Sequence, residues 1–238
     1  MREQLRHPIS LRRFAGVAAA ALAVAGLPAA TAHAEVAEGC DDVRVISIRG
    51  TFEPQFGSLL LTPLATRIAQ EHGGSVTELP YPASRDADSS AKGAEALTSL
   101  LNTAAARCPG QRFVVLGYSQ GARVTGEVLS ARNRLSDKAA AQVSAVAMFG
   151  NPNFNNAEPY NRGSFDPALT GVQPRPAGAL AQFADRLRDY CAAGDRVCNG
   201  GDPAAGFSNA LTPGHVAYFV DGTRDQAATF IEERLRSH

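Results

Sequence analysis

The sequence predicts an α/β protein built on a doubly wound, mainly parallel central sheet of about five strands flanked by helices. Three observations predict it: short β-branched runs that are apolar throughout, intervening stretches rich in Ala and Leu, and the way the two kinds follow one another along the chain. Strands covered on both faces lose the apolar–polar alternation of half-exposed ones, so continuous apolar runs read as buried parallel strands.

Taken in order, Val43 to Ile48 is the first strand, closed by Arg49 and Gly50. Pro63 to Glu71 reads as a helix with its charges on one side, and Val76 to Leu79 as the second strand. Ala91 to Arg107 is a second helix, Phe113 to Leu116 the third strand, Ala122 to Arg132 a third helix and Val143 to Phe149 the fourth strand. Residues 151 to 177, heavy in Asn, Pro and Gly, predict a long ordered loop within the same domain. Arg186 to Cys191 is the expected last strand and Asp225 to Arg236 the closing helix.

Arg2, Arg6, Arg12 and Arg13 precede a nearly uncharged run from Phe14 to Leu27, and Ala32-His33-Ala34 offers a small-x-small cleavage site. The run is shorter than the roughly 20 residues of a membrane-spanning helix. The expectation is a signal peptide over 1–34, a secreted single domain over 35–238 and no transmembrane anchor after cleavage. Arg12-Arg13-Phe14 is part of a twin-arginine pattern, and the sequence leaves the export route open. Losing the segment removes four Arg and one Glu, leaving 19 basic and 22 acidic side chains with no basic arm. That balance argues against nucleic acid and anionic membranes as partners. A monomer is the expected state, with no organic cofactor and no metal.

All four cysteines, Cys40, Cys108, Cys191 and Cys198, lie in the predicted mature chain, which in an exported protein points to disulfides. Cys40 and Cys108 each precede a parallel strand and so fall at the same sheet edge. If those strands are neighbours, their separation of about 4.8 Å suits a bridge. Cys191 and Cys198 would then close a short loop around Asp195.

Gly117-Tyr118-Ser119-Gln120-Gly121 stands between a predicted strand and a predicted helix, the context a nucleophile elbow requires. The turn would expose the Ser119 hydroxyl near the positive end of the helix. A serine needs a base to take its proton, and the mature chain offers His72, His215 and His238. His238 is terminal and His72 sits where a helix ends, which leaves His215, downstream of the nucleophile as α/β-hydrolases require. The acid must lie between them. Asp195 follows the expected last strand inside the cysteine loop; Asp202, before Pro203, is its rival, while Asp185 and Asp189 fall in regular structure.

Together these residues resemble the cutinases, especially the bacterial cutinase-like esterases. The resemblance is carried by Arg49-Gly50-Thr51 with Glu53, Gly117-Tyr118-Ser119-Gln120-Gly121, Gly194-Asp195-Arg196-Val197-Cys198, and His215 followed by Tyr218. It implies a lidless α/β-hydrolase and supports Asp195 and the disulfide pairing. It also implies an oxyanion hole from the Gln120 N–H and Thr51, where the family often carries Ser. The implied reaction is two-step acyl transfer on short- to medium-chain esters, with cutin or other polyesters within reach. Lipase or phospholipase and acetylxylan esterase are alternatives on the same fold, and a catalytically idle binding scaffold is the alternative from another class. Residues 81–90 and 199–214 are the expected rim, with Tyr81, Pro82, Phe207, Leu211 and Pro213 as apolar lining or as loop packing.

Overall fold

The computed structural model describes residues 39–131, 133–200 and 212–237. The expected signal segment, His238, Asp202 and the rim residues Phe207 and Leu211 lie outside the described residues.

Six strands form one sheet in the order β2-β1-β3-β4-β6-β5. They are β1 (Val43–Ile48), β2 (Ser75–Glu78), β3 (Arg112–Tyr118), β4 (Val143–Phe149), β5 (Asn161–Arg162) and β6 (Leu187–Tyr190). Every pairing is parallel. The helices are α1 (Leu61–Glu71), α2 (Ser89–Arg107), α3 (Gln120–Ser130), α4 (Asp137–Gln142), α5 (Pro213–Val216) and α6 (Thr223–Arg236). 3-10 turns at Ala181–Arg186 and Ala217–Phe219 complete the described elements.

The sheet separates two apolar layers. Ile46, Ile48, Phe113, Val115, Val146 and Met148 face one layer with residues of α2, α3 and α4. Val43, Val45, Val114, Leu116, Ala145 and Phe149 face the other with α1 and α6. Strands buried on both faces are the physical reason for the unbroken apolar runs: β4 is buried at every position.

The expected count of about five strands is short by one. β5 is only two residues long and lies inside the Asn-rich segment, too short for any periodicity. The rest of that segment is an ordered loop as expected, held largely by its asparagines. Asn153 Nδ2 donates to the Gln173 carbonyl (2.5 Å), Asn155 Nδ2 to that of Arg175 (2.8 Å) and Asn156 Nδ2 to that of Pro167 (2.6 Å). Side-chain amides thus satisfy backbone groups that a ladder would otherwise pair.

β1 and β3 are neighbours, and Cys40 is bridged to Cys108 with a Cα–Cα distance of 5.7 Å. Cys191 is bridged to Cys198 with a Cα–Cα distance of 5.9 Å.

Candidate active site

The site forms at the carboxyl ends of β1, β3, β4 and β6, where parallel α/β sheets gather their functional loops. β3 runs into α3 through Ser119, whose φ of 53° and ψ of −115° lie where side-chain-bearing residues are rarely found. The neighbouring glycines explain how so sharp a turn packs. A Cβ on Gly121 would collide with the Ile48 carbonyl, and one on Gly117 would lie 2.8 Å from the Ala122 Cα. The Ser119 N–H donates to the Phe149 carbonyl (2.8 Å), tying the turn to the end of β4.

Asp195 and His215 meet although twenty residues separate them. Asp195 sits in the bridged Cys191–Cys198 loop after β6 and is fully buried. Its Oδ1 accepts from the N–H groups of Val197 (2.8 Å) and Cys198 (3.4 Å), and its Oδ2 from the Tyr218 hydroxyl (2.6 Å). His215 Nδ1 stands 3.0 Å from both carboxylate oxygens. A carboxylate supplied with these donors acts as acceptor towards the ring, so Nδ1 carries the proton of the neutral imidazole and Nε2 keeps its lone pair.

Three contacts fix the imidazole. Thr212 caps α5 by accepting from the His215 N–H (3.3 Å), Tyr118 donates its hydroxyl to the His215 carbonyl (3.0 Å), and the Tyr118 ring stacks on the imidazole at 5.0 Å. His215 Nε2 is buried and has no hydrogen-bond partner among the described residues, Ser119 Oγ included. Free enzymes commonly hold this link long until substrate arrives.

Thr51 follows Gly50 in the turn after β1, and that turn is braced from beneath. Glu53 Oε2 accepts the Gly50 N–H (2.7 Å) and Oε1 accepts the Ser58 hydroxyl (2.9 Å). The buried Arg49 guanidinium donates to the carbonyls of Glu53 (2.8 Å) and Tyr81 (2.6 Å), and the Tyr81 hydroxyl returns a bond to the Arg49 carbonyl (2.6 Å). Gln120 opens α3 with its side chain fully engaged: Nε2 donates to the Ser84 carbonyl (2.8 Å) and Oε1 accepts from the Ser89 hydroxyl (3.1 Å).

Sequence reasoning missed several contributors. Tyr81, left open between lining and loop packing, is a buried part of the Arg49 brace, with the guanidinium 4.9 Å from its ring centre; Pro82 and Pro213 are exposed. Gly150, just after β4, has φ +58°, and a Cβ there would lie 2.7 Å from His215 Cε1. Phe52, Phe56 and Leu59, in the loop that begins at Thr51, are 69%, 86% and 73% exposed. Their only sequence signal was an apolar density unusual for a loop.

A Ser on a strand-to-helix elbow, with a His–Asp pair delivered by later loops of the same parallel sheet, defines the class as an α/β-hydrolase. The cutinase family matches residues 39–235, and the chain belongs to that family. It is 33% identical over 235 residues to carboxylesterase Culp1 of Mycobacterium tuberculosis, covering 96% of this chain and 97% of that protein. Among solved structures it is similar to the catalytic core of acetyl xylan esterase from Trichoderma reesei, with a TM-score of 0.71 and 26% identity over 82% of this chain and 99% of that one. It is also similar to a cutinase-like protein from Cryptococcus sp., with a TM-score of 0.68 and 26% identity over 84% and 98% of the two chains. The protein is a carboxylic ester hydrolase.

Proposed function

We propose that the protein is a secreted serine esterase in which Ser119, His215 and Asp195 act as a catalytic triad on short- to medium-chain carboxylic esters. The observation that carries this is the buried Asp195–His215 pair, with Nδ1 3.0 Å from both carboxylate oxygens and its ring stacked on Tyr118, the residue that precedes Ser119 in the strained elbow.

His215 Nε2 takes the Ser119 proton as Oγ attacks the ester carbonyl. Asp195 holds the tautomer and stabilises the imidazolium that forms. The oxyanion is met by the backbone N–H of Gln120 and by Thr51, in the turn that Arg49 and Glu53 brace. His215 then protonates the departing alcohol, and water, activated by the same ring, releases the acyl group from Ser119. The exposed Phe52, Phe56 and Leu59 support an apolar acyl chain or polyester surface as the partner of this mouth. Export through cleavage near Glu35 accords with both disulfides.

A second reading, deacetylation of acetylated xylan, draws on the likeness to the Trichoderma reesei esterase. Hydrolysis of p-nitrophenyl acetate, butyrate and palmitate, with Ser119→Ala in parallel, tests the first reading. The expected result is a butyrate optimum and a loss of about 10⁴-fold or more in kcat for the variant. Strict acetate preference with release of acetate from xylan would favour the second reading. A folded Ser119→Ala protein that turns over normally would overturn both.

A further inference from the structure

Tyr218 stands three residues after His215, in the 3-10 turn that directly continues α5. At that spacing two side chains project from one face of a helical turn, so both reach towards the Cys191–Cys198 loop. The Tyr218 ring is buried, edge-on to Tyr118 at 6.4 Å and to Phe149 at 6.0 Å. Its oxygen touches the start, middle and end of the loop: it accepts the Ala192 N–H (3.0 Å), donates to Asp195 Oδ2 (2.6 Å) and lies 3.4 Å from Cys198 Sγ. A phenol has one proton to give. The disulfide sulfur is a poor acceptor and the amide is a donor, so that proton goes to the carboxylate.

We propose that Tyr218 is a positioning residue for ester hydrolysis, acting through Asp195 by fixing the plane of its carboxylate. The proposal rests on the triad reading above. Oδ1 is held by two backbone N–H groups; without Tyr218, Oδ2 keeps only the His215 bond, and the plane of the carboxylate is held less tightly about Cβ–Cγ. Burial first, and the Asp195 charge second, raise the Tyr218 ionisation well above the ordinary tyrosine range. The hydroxyl therefore stays a donor wherever the enzyme works.

The test measures kcat and KM on p-nitrophenyl butyrate across pH 5–9 for wild type, Tyr218→Phe, Asp195→Asn, the double variant and Ser119→Ala, each with both disulfides formed. Tyr218→Phe is expected to lower kcat by about ten- to a hundredfold, the range for losing a hydrogen bond to a charged group. KM should change by less than about twofold, because no substrate contact is removed. The acid-side midpoint of kcat/KM should rise, because an Asp195 relieved of one donor favours the imidazolium more strongly. In the Asp195→Asn background the same substitution should change kcat by less than about twofold, since the group it acts through is gone.

Wild-type kcat in folded Tyr218→Phe, or an equal loss in both backgrounds, would overturn the proposal. An active Ser119→Ala enzyme would instead overturn the triad reading. Should Tyr218→Phe fail to show a cooperative melt, 3-fluorotyrosine placed at 218 keeps the ring and makes the hydroxyl a stronger donor. It should move the acid-side midpoint downward; an unmoved midpoint would overturn the proposal.

Discussion

At the scale of single residues, Ser119 and Gly150 hold backbone conformations that side chains resist. Ser119 adopts one of them with its side chain in place, and Gly150 adopts the other by having none. A Cβ on Gly150 would press on His215 Cε1 at 2.7 Å and Nδ1 at 2.9 Å, and the ring cannot retreat because Tyr118 stacks on its face and Asp195 holds its edge. Gly150→Ala should therefore cost about 1–2 kcal/mol of stability, the usual penalty for the left-handed conformation. It should lower kcat more than that implies, by about tenfold or more, because the imidazole is displaced from line. A melting curve beside steady-state kinetics separates the two effects; an unchanged kcat would mean that the ring has room to move. Ser119 was legible from its pentapeptide. Gly150 was not, because its requirement comes from His215, sixty-five residues away.

At the scale of elements, β6 carries a charge problem that its short length hid. Asp189 is buried there, with Oδ2 accepting from Asn151 Nδ2 (2.7 Å) and Oδ1 without a hydrogen-bond partner among the described residues. Burial pushes the carboxyl up to about 7; Asn151 and Arg175 pull it down and Glu158 pushes it further up. The folded state therefore keeps a proton that the unfolded chain releases near its ordinary value of 3.8. Stability falls as pH rises through that window and levels off above about 7. Asp189→Asn keeps an acceptor for Asn151 and removes the ionisation, so its melting temperature should gain on wild type from pH 4 to pH 8. Parallel melting curves at pH 4, 6 and 8 check this; equal differences at all three would show that Asp189 does not titrate there. The long strands and helices were legible to within about two residues, because each has a full turn or several apolar positions of its own. The exceptions were α4, whose six residues are announced only by the Ser136 cap (3.2 Å to the Ala139 N–H), the four-residue α5, and β5, which exists because β6 lies beside it.

At the scale of the molecule, the two disulfides divide labour. The Cys40–Cys108 bridge spans 68 residues and ties the start of β1 to the end of α2, remote from the catalytic loops. Loop-closure entropy alone gives it about 4 kcal/mol, against about 2.5 kcal/mol for the seven-residue Cys191–Cys198 bridge. The short bridge instead encloses Asp195 and lies beside the Tyr218 hydroxyl. Replacing Cys40 and Cys108 with Ser should lower the melting temperature most and leave kcat near wild type at 25 °C. Replacing Cys191 and Cys198 should lower kcat most. Paired melting and kinetic measurements on the two double variants decide this, and a reversed order would show that the short bridge carries the fold rather than the site.

The sequence by itself determined the α/β class, which is written in its apolar strand runs and Ala- and Leu-rich helices, and it offered Ser119, His215 and a cysteine pairing that depended on which strands are neighbours. Only the tertiary structure decided that Asp195 stands 3.0 Å from His215, that Tyr81 packs in the Arg49 brace, that Gly150 leaves room for the imidazole, and that the Tyr218 hydroxyl bonds Asp195. Those contacts join residues brought together by the parallel sheet. No local propensity encodes where one loop end meets another until the strands between them are in register.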